Sequence, residues 1–227
     1  MLSFRKLIER LQKQYGEPAL PPAHGPFELV LWENACYLLP DGRRREVFES
    51  LREQVGLTAK AIAAAPDDIL LPLAKRGGMR PETRVFRWLE IARITLTQFG
   101  GNLDAILDEP YAKAKRALKQ FPNIGDPGAE KILLFCGMAE GLPLESNGLR
   151  VLVRVGYGRE QKNYGAMYRS VENDLAAELK TAGAQELSLA HCLLREHGKT
   201  LCKDKNPHCG ECPLLRGCNY GEKRFNR

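Results

Sequence analysis

From the N-terminus onward, apolar positions recur at three- and four-residue intervals almost throughout the chain. Phe4, Leu7, Ile8 and Leu11 share one face of a segment running from Ser3 to Tyr15, with basic residues between them, which is the period of an amphipathic helix. The same spacing predicts helices over Phe27 to Tyr37, Arg44 to Val55, Thr58 to Ala64, Pro66 to Leu73 and Pro81 to Phe99. It predicts further helices over Leu103 to Asp108, Pro110 to Gln120, Gly128 to Met138, Gly148 to Val155, Tyr164 to Lys180 and Ala184 to Glu196. Breaks fall where the backbone chemistry asks for them. Pro18 to Pro26 holds four prolines and a glycine and reads as a linker, and Pro40-Asp41-Gly42 and Gly100-Gly101-Asn102 end helices. Strand-like alternation is almost absent and no repeat of fixed period is present, so the pattern predicts an all-α protein.

Composition narrows this little. The 227 residues suit one large or two small domains, and 44% hydrophobic with 27% charged residues is the balance of a soluble chain that can build a core. No apolar run approaches the roughly 20 residues of a membrane span. The start Met1-Leu2-Ser3-Phe4-Arg5-Lys6 lacks the apolar stretch of a signal peptide, so the expectation is an intracellular, cytoplasmic protein. A net charge of +6 favours a polyanionic partner only weakly, since an ordinary basic surface carries as much.

The seven cysteines are more informative. Cys36, Cys136 and Cys192 stand apart among apolar neighbours and read as small buried hydrophobes in a reducing compartment. The other four follow the spacing Cys202-x6-Cys209-x2-Cys212-x5-Cys218. Four thiolates in one short loop can converge on one centre, and four-cysteine ligation of soft iron suits a [4Fe-4S] cube. Structural zinc loops generally use two closely spaced pairs, whereas this loop has a single Cys-x2-Cys; zinc, with His208 as a conceivable extra donor, is the rival.

This spacing, with its lead-in His197-Gly198-Lys199-x-x-Cys202, resembles the endonuclease III group of helix-hairpin-helix DNA glycosylases. A second motif agrees. Phe121-Pro122-Asn123-Ile124-Gly125, between two helical segments, resembles the family's Leu-Pro-Gly-Val-Gly hairpin. A tight turn of this kind needs left-handed backbone, which glycine adopts freely and asparagine tolerates, so Asn123 can stand in for the first glycine. The amides of Asn123, Ile124, Gly125 and Gly128 would then face a phosphate, with Lys119 and its neighbours Lys113, Lys115 and Arg116 nearby. A plain helix–helix turn is the alternative. Lys203 and Lys205, between the first two cysteines, fall where the family's cluster loop meets DNA, or else form a solvated face.

The catalytic positions depart from the family pattern. Members that cut the backbone place a Schiff-base lysine two residues past the last hairpin glycine, and this chain has Pro127 there, which offers no amine. Lys131 lies one helical turn further on and is either a substitute nucleophile, a phosphate contact or a surface lysine. The family's catalytic aspartate, five residues before an Arg-Val pair, corresponds to Glu145 in Leu144-Glu145-Ser146-Asn147-Gly148-Leu149-Arg150-Val151. Its carboxylate would stabilise an oxocarbenium-like sugar or orient water, unless it serves as a helix cap. Counting on from Pro26-Phe27-Glu28-Leu29, Glu33 matches the general-acid glutamate of the superfamily's adenine glycosylases, a role that partial burial would favour; an exposed glutamate is the alternative. Leu38 falls at the residue that fills the gap of an extruded base, where leucine is either a wedge or core.

The resemblance covers nearly the whole chain. It implies two helical domains: a barrel over residues 26–138 with the hairpin, and a cluster domain of residues 1–25 plus 139–227, with Glu33, Lys131 and Glu145 in the cleft between them. Its expected partner is duplex DNA with a lesion or mispair, bound by a monomer. The leading expectation is a monofunctional DNA glycosylase that flips a base and hydrolyses its sugar bond. A binding homologue that senses distorted DNA without chemistry, or a lyase using Lys131, is the alternative.

Overall fold

The computed structural model describes Leu2 to Phe225. Among the described residues it holds twelve α-helices and two short 3-10 turns, and no strand. The helices are α1 (Phe4–Tyr15), α2 (Gly25–Glu33), α3 (Asp41–Gln54), α4 (Ala59–Ala64), α5 (Asp67–Arg76) and α6 (Pro81–Gln98), then α7 (Tyr111–Leu118), α8 (Asp126–Phe135), α9 (Ser146–Val155), α10 (Tyr164–Leu179), α11 (Ala184–Thr200) and α12 (Asn219–Phe225). None of the described helices is long and apolar enough to cross a membrane. The chain divides into two units, Pro21–Met138 and a discontinuous one of Met1–Leu20 with Ala139–Arg227.

The continuous unit is built around α2. Leu29, Val30, Leu31 and Trp32 are all buried, so this helix is apolar around its whole circumference and must lie inside the unit. Trp32 meets Phe48 of α3 edge-to-face at 5.5 Å between ring centroids, and Trp88 of α6 is fully enclosed. The linker residue Pro22 belongs here because its carbonyl takes a hydrogen bond from Arg52. Helix α5 carries Asp67 and Asp68 in its first turn and Lys75 and Arg76 in its last, each end complementing the helix dipole.

In the discontinuous unit α1 lays Phe4, Leu7, Ile8 and Leu11 inward and packs on α11. Helices α9 and α11 pack more closely. A side-chain carbon at Gly198 would stand 2.6 Å from the Asn147 carbonyl oxygen, so glycine is required where the two helices touch. Glu178 of α10 ties down the N-terminus, accepting the Phe4 amide at 2.7 Å and the Tyr157 hydroxyl at 2.8 Å.

Several boundaries differ from those the pattern predicts. Helix α2 stops at Glu33, four residues early, because Asn34 caps it and the chain turns out into an exposed loop. Helix α8 starts two residues early, since Pro127 sits in its first turn, where its missing N–H costs nothing. Helix α11 continues through His197 to Thr200. Of the three isolated cysteines Cys36 is buried, while Cys136 and Cys192 are only partly so. Their neighbours in sequence are largely apolar, but Cys136 caps the C-terminus of α8 and Cys192 lies within α11.

Candidate functional site

Cys202, Cys209, Cys212 and Cys218 line one small cavity, walled by Val151, Val155, Leu201 and Leu214. None of the four is in a disulfide. Helix α11 delivers Cys202, the 3-10 turn Cys209–Glu211 carries Cys209, and Cys218 immediately precedes α12. Burial pushes the Cys212 thiol up to about 11, and the other three thiols add to the shift. Donors surround the sulfurs. Arg154 Nη1 lies 3.4 Å from Cys202 Sγ, the Gly221 amide 3.4 Å from Cys218 Sγ, and His197 Nε2 3.4 Å from Cys212 Sγ. Among the described residues no three or more His, Cys, Asp or Glu side chains gather around a single ion position. Arg154 also donates to the Lys203 and Asp204 carbonyls and lies over the Tyr220 ring at 4.5 Å, so it shapes the loop from which Lys203 and Lys205 project, both exposed.

The hairpin joins α7 to α8. Asn123 is left-handed at φ 63°, as the missing glycine demands. Phe121 and Ile124 are buried and pin the turn, with Phe121 stacked on Phe99 at 5.9 Å. The first hydrogen bond into α8 runs from the Ala129 amide to the Gly125 carbonyl. The amides of Gly125, Asp126 and Gly128 therefore precede the intrahelical ladder and point along the helix N-terminus. The flanking lysines carry acids that the basic pattern of α7 conceals. Lys119 pairs with Asp126 at 2.9 Å, and Lys115 with both Glu130 at 2.5 Å and Asp126 at 3.3 Å. The hydrogen bond from Lys119 holds Asp126 below the usual carboxylate range.

Glu33, at the end of α2, is 16% exposed and pairs with Lys131 of α8 at 2.7 Å and with Arg44 of α3 at 3.8 Å. Arg44 also lies over the Trp32 ring, 5.4 Å from its centroid. Burial by itself favours a protonated acid, whereas neighbouring cations favour the carboxylate. The pairing with Arg44 is invisible in the sequence, because it joins two helices that the chain pattern treats separately. Pro127, in the first turn of α8, is exposed.

Glu145 is the N-cap of α9. Its Oε1 accepts the Gly148 amide at 2.7 Å and its Oε2 accepts Asn147 Nδ2 at 2.7 Å. Asn147 Oδ1 in turn accepts Arg150 Nη2 at 2.8 Å, and Arg150 donates to the carbonyls of Gly198 and Cys202. Hydrogen bonds thus run unbroken from the carboxylate to the backbone of the first cysteine. Glu33 and Lys131 belong to the continuous unit, and Glu145 to the other.

Leu38 is no core residue: it is 79% exposed, on left-handed backbone at φ 54°. Its loop is fastened to the turn before α6, where the Tyr37 amide donates to Gly77 and a side chain at Gly77 would strike the Ala35 carbonyl at 2.4 Å. That turn exposes Met79, 67% accessible, beside left-handed Arg80, and buried Arg84 holds it by donating to the carbonyls of Ala74, Gly78 and Met79. Tyr37 and Met79 were not legible as site residues. A Gly77-Gly78 pair favours a turn, but nothing local specifies the loop it meets. A further tie reaches the hairpin, since Asn34 Nδ2 donates to the Pro122 carbonyl at 3.1 Å.

An all-helical unit carrying a hairpin between α7 and α8, and a second unit carrying four cysteines around one cavity, define a helix-hairpin-helix protein with a cysteine-loop unit. No family model matches the chain. Thymine-DNA glycosylase of Aeropyrum pernix is 29% identical over 95% of this chain and 92% of its own. Endonuclease III of Thermotoga maritima is 22% identical over 97% of this chain and 92% of its own. The solved structure of a non-covalent endonuclease III–DNA complex superposes with a TM-score of 0.75 over 100% of both chains at 21% identity, a likeness of fold. In sequence the chain is similar to the endonuclease III-like helix-hairpin-helix DNA glycosylases, and in fold to the endonuclease III structure.

Proposed function

We propose that this protein is a monofunctional DNA N-glycosylase of cytoplasmic base-excision repair, releasing a damaged or mispaired base from duplex DNA with water as the nucleophile. The observation that carries the reading is Glu145, a half-buried carboxylate held by two donors at the start of α9. A carboxylate fixed in this way can face the positive charge that grows on the sugar as the base leaves. Pro127 removes the amine that strand cleavage would use at that position. The N-terminal amides of α8 and Lys203 and Lys205 would hold phosphates, and Leu38 with Met79 would enter the stack where a base has been extruded.

The four cysteines fit an iron–sulfur cluster. Zinc bound to four thiolates at about 2.3 Å would need the sulfurs gathered on one point, whereas a cube offers each thiolate its own iron. Four sulfurs around one cavity, approached by Arg154 and by amide donors, suit the larger, anionic group. When bound, it would cross-link the loop and supply a redox-capable centre. Cys202, Cys209, Cys212 and Cys218 would ligate it.

The test is incubation with duplexes that each carry one lesion or mispair, a T·G pair among them, with and without alkali. Strand breaks that appear only after alkali support the reading. Tight binding to distorted duplexes with no release from any of them would favour a lesion-sensing homologue.

A further inference from the structure

His197 touches the cysteine loop at two places. Its carbonyl accepts the Cys202 amide at 2.8 Å, and its ring Nε2 lies 3.4 Å from Cys212 Sγ. The other ring nitrogen, Nδ1, is 2.9 Å from the hydroxyl of Tyr15, the last residue of α1, and the two rings meet edge-on at 5.9 Å. Thr200 Oγ1 lies 3.0 Å from the Tyr15 hydroxyl and 2.8 Å from the Glu196 carbonyl oxygen. His197 is 1% exposed. In the sequence, His197-Gly198-Lys199 reads only as a lead-in to the first cysteine.

The chemistry of this row has a direction. A neutral imidazole has one donor and one acceptor nitrogen, and the hydrogen bond at one sets the proton at the other. A thiolate bound to iron has no proton to give. Facing one, His197 must donate from Nε2, which leaves Nδ1 as an acceptor for the Tyr15 hydroxyl. Hydrogen bonds to cluster sulfurs favour the more reduced, more negative state and raise the potential.

We infer that His197 is a positioning and tuning residue for the cluster, donating to Cys212 Sγ in the tautomer that the thiolate requires and that Tyr15 of the N-terminal helix supports by donating to Nδ1. The inference rests on the iron–sulfur reading above. It makes the environment of the cluster depend on α1, the element furthest from the cysteines along the chain.

The test compares the holoprotein with Y15F, H197F and H197Q, all purified without oxygen. Iron and sulfide per chain, the rate at which visible absorbance fades in air and the midpoint potential are measured for each. H197F is expected to lose its cluster about 10-fold faster. The midpoint of Y15F is expected to shift to more negative potential at full iron content. H197Q, whose amide can still donate, should fall nearer wild type than H197F. Should H197F fail to fold, Y15F decides, because it removes one half-buried oxygen from the edge of the row. Fading rates and potentials in Y15F and H197F equal to those of iron-loaded wild type would overturn this inference and leave the cluster reading standing. Wild type free of iron when isolated without oxygen would overturn both.

Discussion

The carboxylate of Glu145 accepts the amide hydrogen of Gly148 at 2.7 Å, three residues further along the chain. The cap and the proposed catalytic charge are therefore the same group, and the two roles can be separated by experiment. Glu145→Gln keeps an oxygen for the Gly148 amide, removes the charge and replaces the acceptor of Asn147 Nδ2 with a donor. Base release in single turnover is expected to fall by about 10²–10³-fold. Folding stability should change by no more than about 1 kcal/mol, the usual scale of a cap. Binding to abasic-site duplex, read by fluorescence anisotropy, should stay within about twofold of wild type, because Glu145 donates nothing to phosphate. An active Glu145→Gln would return Glu145 to a purely structural role.

Lys131 lies 2.7 Å from Glu33, an ion pair with both side chains largely covered. That pairing commits the Lys131 amine to the Glu33 carboxylate. Borohydride added during turnover should trap no protein–DNA adduct, and Lys131→Ala should not change that outcome. A trapped adduct in wild type that disappears in Lys131→Ala would make Lys131 a relocated Schiff-base lysine and the protein a lyase.

Asp126 pairs with Lys119 and Lys115 at the hairpin, where on the proposed function it would compete with phosphate for them. Asp126→Asn should tighten binding to any duplex by roughly 3- to 10-fold at low salt and steepen the log K against log salt slope by about 1, as a freed lysine meets phosphate. A pH signature accompanies it. The folded carboxyl is held below its unfolded value by the Lys119 hydrogen bond, so its contribution to stability is present above the unfolded pKa and lost as pH falls through the folded one. In urea melts, any stability difference between wild type and Asp126→Asn should be present at neutral pH and vanish in acid, below the ordinary carboxylate range. Because Asp126 is largely exposed the difference should be small. Equal DNA affinity in the two proteins would show that the hairpin lysines make no phosphate contact.

Lys203 and Lys205 are exposed on the loop that Arg154 shapes. The double variant Lys203→Glu, Lys205→Glu should weaken binding by about 10-fold or more at low salt, to the same degree for all duplex sequences, because phosphate contacts carry no sequence information. Unchanged affinity would remove the cysteine loop from the DNA interface.

How much of this was readable beforehand depended on how local each feature is. The helical content, the four-cysteine spacing, the left-handed turn at Asn123 and the absence of a lysine at Pro127 each depend on a few neighbouring residues. Periodicity, backbone sterics and ligand chemistry act at that range, so the sequence by itself determined them. Glu145 as an N-cap belongs here too, since its acceptor reaches an amide only three residues on. The partners of Glu33 do not, because Arg44 and Lys131 come from two other helices, and an ion pair across helices leaves no periodic trace. Leu38 and Met79 are exposed on two loops, far apart in the chain, that one backbone hydrogen bond joins, from the Tyr37 amide to the Gly77 carbonyl. The contact of His197 with Tyr15 joins α11 to α1, a pairing that no local pattern specifies. What tertiary structure alone decided is which charges neutralise one another and which apolar side chains stay in water. Both depend on which helix faces pack together, and a helical pattern specifies that a face is buried without naming the partner that buries it.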